Sequence, residues 1–104
     1  MQYQVKHHKD TLVVDVHDLT INLAHVLELQ NSFKHLVIDL SAFDSVSEDF
    51  MKNFTKFGKD NIQENSFFIV YKNEFSEDFP LVPTLFEAFD MITLEEIERQ
   101  LKNQ

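Results

Sequence analysis

The stretch from His35 to Gly58, HLVIDLSAFDSVSEDFMKNFTKFG, constrains this chain more than any other. Leu36, Val37, Ile38 and Leu40 form an apolar run of strand length, broken only by Asp39. Ser41 to Ser47 follow with the small polar residues of a turn. Phe50, Met51, Phe54 and Phe57 then recur at helical spacing, with Lys52, Asn53 and Lys56 on the other side. A strand that feeds a helix through a polar loop is the repeating unit of an α/β sheet. In such sheets ligands and partners gather at the carboxyl ends of the strands.

The ends of this helix are marked in the sequence. Ser45-Val46-Ser47-Glu48 has the Ser-x-x-Glu form of a capping box, and Ser47 is a second candidate cap. Glu48 and Asp49 fall in the first turn, where the helix dipole favours acids, and Glu48 stands four residues before Lys52. Gly58, the single glycine, sits where a left-handed C-cap residue belongs. The helix is therefore expected over 47–57, with Phe50, Phe54 and Phe57 against a sheet.

The rest of the chain supplies that sheet. Tyr3 and Val5 alternate with polar residues and predict a strand near 2–8. Lys9-Asp10 is a tight turn of undetermined type, and TLVVDVH over 11–17 is a second strand, giving an antiparallel hairpin. Residues 20–32 are expected to be helical, capped by Asp18 or Thr20, which makes the next connection a right-handed parallel crossover. SFFIVYK over 66–72 has the near-continuous apolar run of a strand buried on both faces. Residues 73–80 are an acidic loop. A short helix is expected from Pro83-Thr84 to Ala88, then an extended piece over 89–92. A last helix launches from the capping-box pattern Thr93-Leu94-Glu95-Glu96. The order is ββαβαβαα: an α/β fold with a four-stranded mixed sheet and helices chiefly on one face. With 104 residues and no linker or repeat, the chain is expected to be one domain spanning 1–104.

Charge and composition exclude several roles. Eighteen acids against nine bases give a net charge of −9, which phosphate backbones repel, so no nucleic-acid partner is expected. The densest basic cluster, Lys6-His7-His8-Lys9, is short. There is no cysteine, hence no disulfide, thiolate metal site or cysteine nucleophile. MQYQVKHHKD lacks the apolar core of a signal peptide, and no run approaches the roughly 18 apolar residues of a membrane span. A cytoplasmic, acidic protein without membrane insertion is the expectation. The 11 phenylalanines suit a Phe-packed core, or an apolar ligand cavity or docking face.

Catalytic patterns are missing. The five histidines, His7, His8, His17, His25 and His35, contain no closely spaced pair for a hydrolytic zinc and are expected at the surface or rim. Asp39 interrupts an apolar strand, and if buried it needs hydrogen bonds or a raised pKa; its simplest roles are to face the sheet edge or to cap a loop amide. A single glycine cannot build a phosphate cradle, and no Gly-x-Ser-x-Gly motif occurs. No enzyme, metal or cofactor is expected.

The segments TLVVDVHDL, HLVIDLSAFDSVSEDFM, SFFIVY and FDMITLEEIERQL together resemble a STAS domain, the fold shared by anti-sigma-factor antagonists and the cytoplasmic parts of sulfate transporters. The likeness covers nearly the whole chain. In that family the loop after the third strand reads roughly Asp-Ser-Ser-Gly-Leu, and phosphorylation of a serine there controls partner binding. An ungapped match puts Ser47-Glu48-Asp49-Phe50-Met51 on those positions, so Asp49 stands where the modified serine would be and the glycine is absent. A closer likeness is to small STAS-like bacterial proteins that share Val82-Pro83-Thr84-Leu85-x-Glu87-Ala88 and Glu95-Glu96-Ile97-Glu98-Arg99. These often carry the label ribonuclease Z. That enzyme class resembles metallo-β-lactamases and needs a His-x-His-x-Asp-His zinc run, which this chain lacks.

The resemblance implies a protein-interaction module, possible regulation included, that docks a partner with a basic surface through the corner 41–51. Ser45, Ser47, Glu48 and Asp49 are its candidate contact residues. The alternative is a small carrier of an apolar ligand or lipid, since related folds hold lipids and the core is rich in phenylalanine. A role associated with ribonuclease follows only from the label.

Overall fold

Lys9 and Asp10 reverse the chain between β1 (Tyr3–His8) and β2 (Thr11–Val16), which pair antiparallel. With no glycine available, Lys9 itself takes the left-handed region at φ 54°, a conformation that costs an L-residue about 1–2 kcal/mol. The structure is a computed structural model and describes residues 2 to 103. Met1 and Gln104, the ends of the expected single domain, lie outside the described residues.

From β2 onward every strand is parallel to its neighbour. β3 (His35–Asp39), β4 (Phe67–Val70) and β5 (Leu81–Val82) follow in sequence order, so the sheet reads β1-β2-β3-β4-β5. The α/β class and the mixed sheet hold, but among the described residues there are five strands and not the expected four. The extra strand is two residues between Pro80 and Pro83, too short to show a period. Backbone bonds fix it: Ile69 N–H donates to the Pro80 carbonyl, and Tyr71 N–H to that of Val82, both at 2.9 Å.

Strand alternation divides the core in two. Leu12, Val14, Val16, Leu36, Ile38, Phe67 and Ile69 face α1 (Leu23–Glu28) and α2 (Glu48–Asn61), meeting Leu23, Val26, Met51 and Phe54. Val13, Val37, Phe68, Val70 and Val82 face the other way, against Ala88 and Ile92 of α3 (Leu85–Lys102). Each fully buried aliphatic side chain contributes roughly 1.5–3 kcal/mol. The expectation of helices chiefly on one face is corrected here: the longest helix covers the opposite face, so the sheet lies between two helical layers.

α1 is shorter than the expected 20–32 and is capped by Asn22, whose side chain accepts the His25 N–H at 3.1 Å. Asp18 bonds Thr20 instead. Gly58 is not a C-cap. It lies inside α2 without a positive φ, and a Cβ built there would come within 2.2 Å of the Phe67 ring. Its role is close approach of helix to sheet.

The C-terminal region is one continuous helix, not a short helix, an extended piece over 89–92 and a second helix. Thr84 caps it by accepting the Glu87 N–H at 3.2 Å. The Thr93-x-x-Glu96 pattern does not cap: Thr93 Oγ1 donates to the Phe89 carbonyl at 3.1 Å. Its glutamates reach the amino ends of β3 and β4 instead. Ser66 Oγ donates to Glu95 Oε1 at 2.6 Å and accepts from Arg99 Nη2 at 3.0 Å. His35 Nδ1 accepts the Ser66 N–H at 3.0 Å, while its Nε2 lies 3.4 Å from Glu96 Oε2 without hydrogen-bond geometry. His35 is 1% exposed, which corrects its expected place at the surface or rim. His7, His8, His17 and His25 are exposed.

Candidate functional site

The polar stretch after β3 is built from the strand upward. Leu40 is fully buried, and its N–H donates to the Val70 carbonyl at 2.9 Å, so the corner leaves the sheet from a fixed point. Asp39 is 6% exposed, and its Oδ1 accepts the Ser41 N–H at 2.9 Å. The strand-breaking aspartate therefore caps a loop amide, and its buried oxygen has a partner. The Phe43 N–H then closes a turn onto the Leu40 carbonyl at 3.0 Å.

The loop is pinned from the neighbouring strand. Val46 is buried, and its N–H donates to the Tyr71 hydroxyl at 2.8 Å across 25 residues of sequence. Asn73 Nδ2 donates to the Asp44 carbonyl at 3.1 Å, and Lys72 Nζ pairs with Asp44 Oδ1 at 3.1 Å. The Lys72 pair is exposed and contributes under about 1 kcal/mol. The bond to Val46 is buried and counts for more. Tyr71 also stacks on Phe75 at 5.8 Å, and Phe75 meets Phe79 edge-on at 5.5 Å. These rings hold the acidic loop 73–80 beside the corner.

Two candidate caps are now distinguished. Ser47 Oγ accepts the Phe50 N–H at 3.3 Å and starts α2 at Glu48. Ser45 does not cap the helix; it is exposed on the loop. Glu48 and Asp49 are exposed in the first turn, and neither forms an ion pair among the described residues. Lys52, the expected partner of Glu48, points instead to Glu77 at 3.9 Å. The four candidate residues thus share one exposed corner, where Asp44 is paired with Lys72 and Glu48 and Asp49 have no ion-pair partner among the described residues.

No family model matches the chain. Neither does any curated protein or any solved structure.

The corner borders an apolar groove. Phe50 is 36% exposed, not buried as the helical spacing implied, and with Phe54 and Phe57 it lines a cleft of about 480 Å³ shared with Leu19, Ile21 and Leu23. Met51 is fully buried on the sheet side instead, while Phe57 is half-buried. A helix has no room for four large residues all facing inward, so Phe50 is turned to the rim.

Tyr71 and Asn73, which brace the candidate corner, carry no local pattern that marks them for that place. The available signal was a tyrosine closing an apolar strand, since a buried Tyr hydroxyl usually finds a hydrogen-bond partner. Among the described residues no group of three or more His, Cys, Asp or Glu side chains is arranged to hold a metal ion. No helix there is long and apolar enough to cross a membrane. What the corner offers chemically is acidic side chains on a braced turn next to an aromatic rim.

Proposed function

We propose that this protein is a non-enzymatic interaction module of STAS type, docking a protein partner with a basic surface through the corner 41–51. The observation that carries the reading is the pairing of a braced turn with unpaired acids. Ser47 caps the helix and the Tyr71 hydroxyl holds Val46, while Glu48 and Asp49 form no ion pair among the described residues. A turn held in place loses little conformational freedom when a partner binds, and its acids favour a basic surface. The sequential parallel strands β2 to β5, with α1 and α2 on one face, also support kinship with that fold.

Asp49 occupies the place of the family's modified serine, so the corner is acidic without phosphorylation. Adding about −1.5 to −2 charge at Ser45 or Ser47 would meet Glu48 and Asp49 at close range. Binding through this corner is accordingly constitutive. Asp49→Lys tests it: capture of a partner by the tagged protein from the source lysate should fall, with the melting temperature nearly unchanged. Capture unaffected by Asp49→Lys, or a stoichiometric phosphoserine at Ser45 or Ser47 that toggles binding, overturns the reading. The same reading expects no cleavage of a precursor transfer RNA by purified protein with divalent metal.

A further inference from the structure

α3 is apolar on two opposite sides. Its inner side, Ala88 and Ile92, is buried against the sheet, with Leu85 and Phe89 packed beside them. Its outer side carries Phe86, Leu94, Ile97 and Leu101, exposed by 82%, 54%, 47% and 62%. A surface helix normally turns charge to water there. The spacing from Phe86 through Asp90 to Leu94, Ile97 and Leu101 runs in steps of four, four, three and four, so these side chains share one stripe. At roughly 1.5 Å per residue the stripe is about 22 Å long.

We propose that this stripe seats an amphipathic helix of a partner protein, one whose apolar ridge is flanked by lysine or arginine. The charges beside the stripe select that occupant. Glu87 and Glu98 are exposed beside it, and Asp90 is exposed within it between Phe86 and Leu94. Of the two bases in the helix's last turn, Arg99 is drawn inward to Ser66 and leaves only Lys102 outward. A second copy would bring the same acids and another charge of −9. An anionic bilayer would be repelled in the same way. A straight stripe of this length, apolar except at Asp90, suits ridge-into-groove packing of a helix, read at positions i, i+3 or i+4, and i+7, with a partner lysine or arginine opposite Asp90. This surface lies across the sheet from α2 and the corner, so it stands or falls independently of the function proposed above.

The test uses the full chain and three synthetic helical peptides of about four turns. One has a leucine stripe flanked by lysines, one keeps the leucines with glutamates, and one keeps the lysines with serines replacing the leucines. Only the first should bind by fluorescence anisotropy, and its amide chemical-shift changes should map to α3. The exposed double substitution Leu94→Ser, Ile97→Ser should weaken binding at least tenfold at an unchanged melting temperature, whereas Asp49→Lys should leave it unaltered. The proposal is overturned if the serine peptide binds as well as the leucine one, if the shifts map to the corner, or if sedimentation shows a dimer that Ile97→Ser dissolves. Retention on vesicles of phosphatidylcholine and phosphatidylglycerol, lost in the double variant, would likewise replace the helix with a membrane.

Discussion

The Tyr71 hydroxyl accepts the Val46 backbone N–H at 2.8 Å, linking the end of β4 to the loop before α2 inside the protein. This bond sets where the candidate corner stands relative to the sheet. Tyr71→Phe keeps the ring and its stacking on Phe75 but leaves the Val46 N–H without its acceptor. An unsatisfied buried donor costs about 1–3 kcal/mol. We expect a loss of stability in that range and faster amide exchange at Val46. Unchanged exchange there would show that the hydroxyl does not brace the corner.

Gly58→Ala reverses the usual expectation for a glycine inside a helix. Alanine gains about 1 kcal/mol in helix propensity. Here the new Cβ would meet a buried aromatic ring, since Phe67 is only 9% exposed. Overpacking costs typically ~1–3 kcal/mol, so after the propensity gain a net destabilisation of about 0–2 kcal/mol is expected from urea unfolding. A more stable variant would mean that Phe67 has room to rotate away.

Phe54 is the aromatic anchor of α2, 6% exposed, between the sheet and the groove. Phe54→Ala should cost ~3–5 kcal/mol, a large part of the stability of a small domain. Phe50→Ala, on the same helix but at the rim, should cost much less. Equal thermal shifts for the two variants would contradict the division of this helix face.

Asp18 carries a pH-dependent contribution. Its Oδ1 accepts from the Thr20 hydroxyl at 2.7 Å and from the Thr20 N–H at 2.9 Å. These bonds, the side-chain one first, hold its carboxyl below the usual aspartate range. The folded pKa is thus lower than the unfolded one, so the stabilisation is present above the unfolded value and fades as pH falls through the folded value. The stability difference between wild type and Asp18→Asn should shrink below about pH 4. A carboxyl carbon titration of Asp18 at or above the ordinary midpoint would refute the assignment.

Local chemistry in the sequence was enough to determine the hairpin and the two central parallel strands; for the start of α2 it offered both Ser45 and Ser47 as caps, and the structure selects Ser47. These depend on period, on turn residues and on caps, all of which act within a few positions. The polar turn and the acids Glu48 and Asp49 of the first helical turn were legible for the same reason. Tertiary contacts decided the rest. Leu81-Val82 became a fifth strand because the open edge of β4 supplied carbonyls and amides to pair with. Thr93-x-x-Glu96 looked like a helix start, yet α3 runs through it unbroken, with Glu95 bonded to Ser66 and Glu96 beside His35 at the sheet's amino ends. Gly58 looked like a helix stop until Phe67 claimed the space a side chain would fill. Each is a partner more than eight residues away, and no local pattern encodes which distant group will stand opposite.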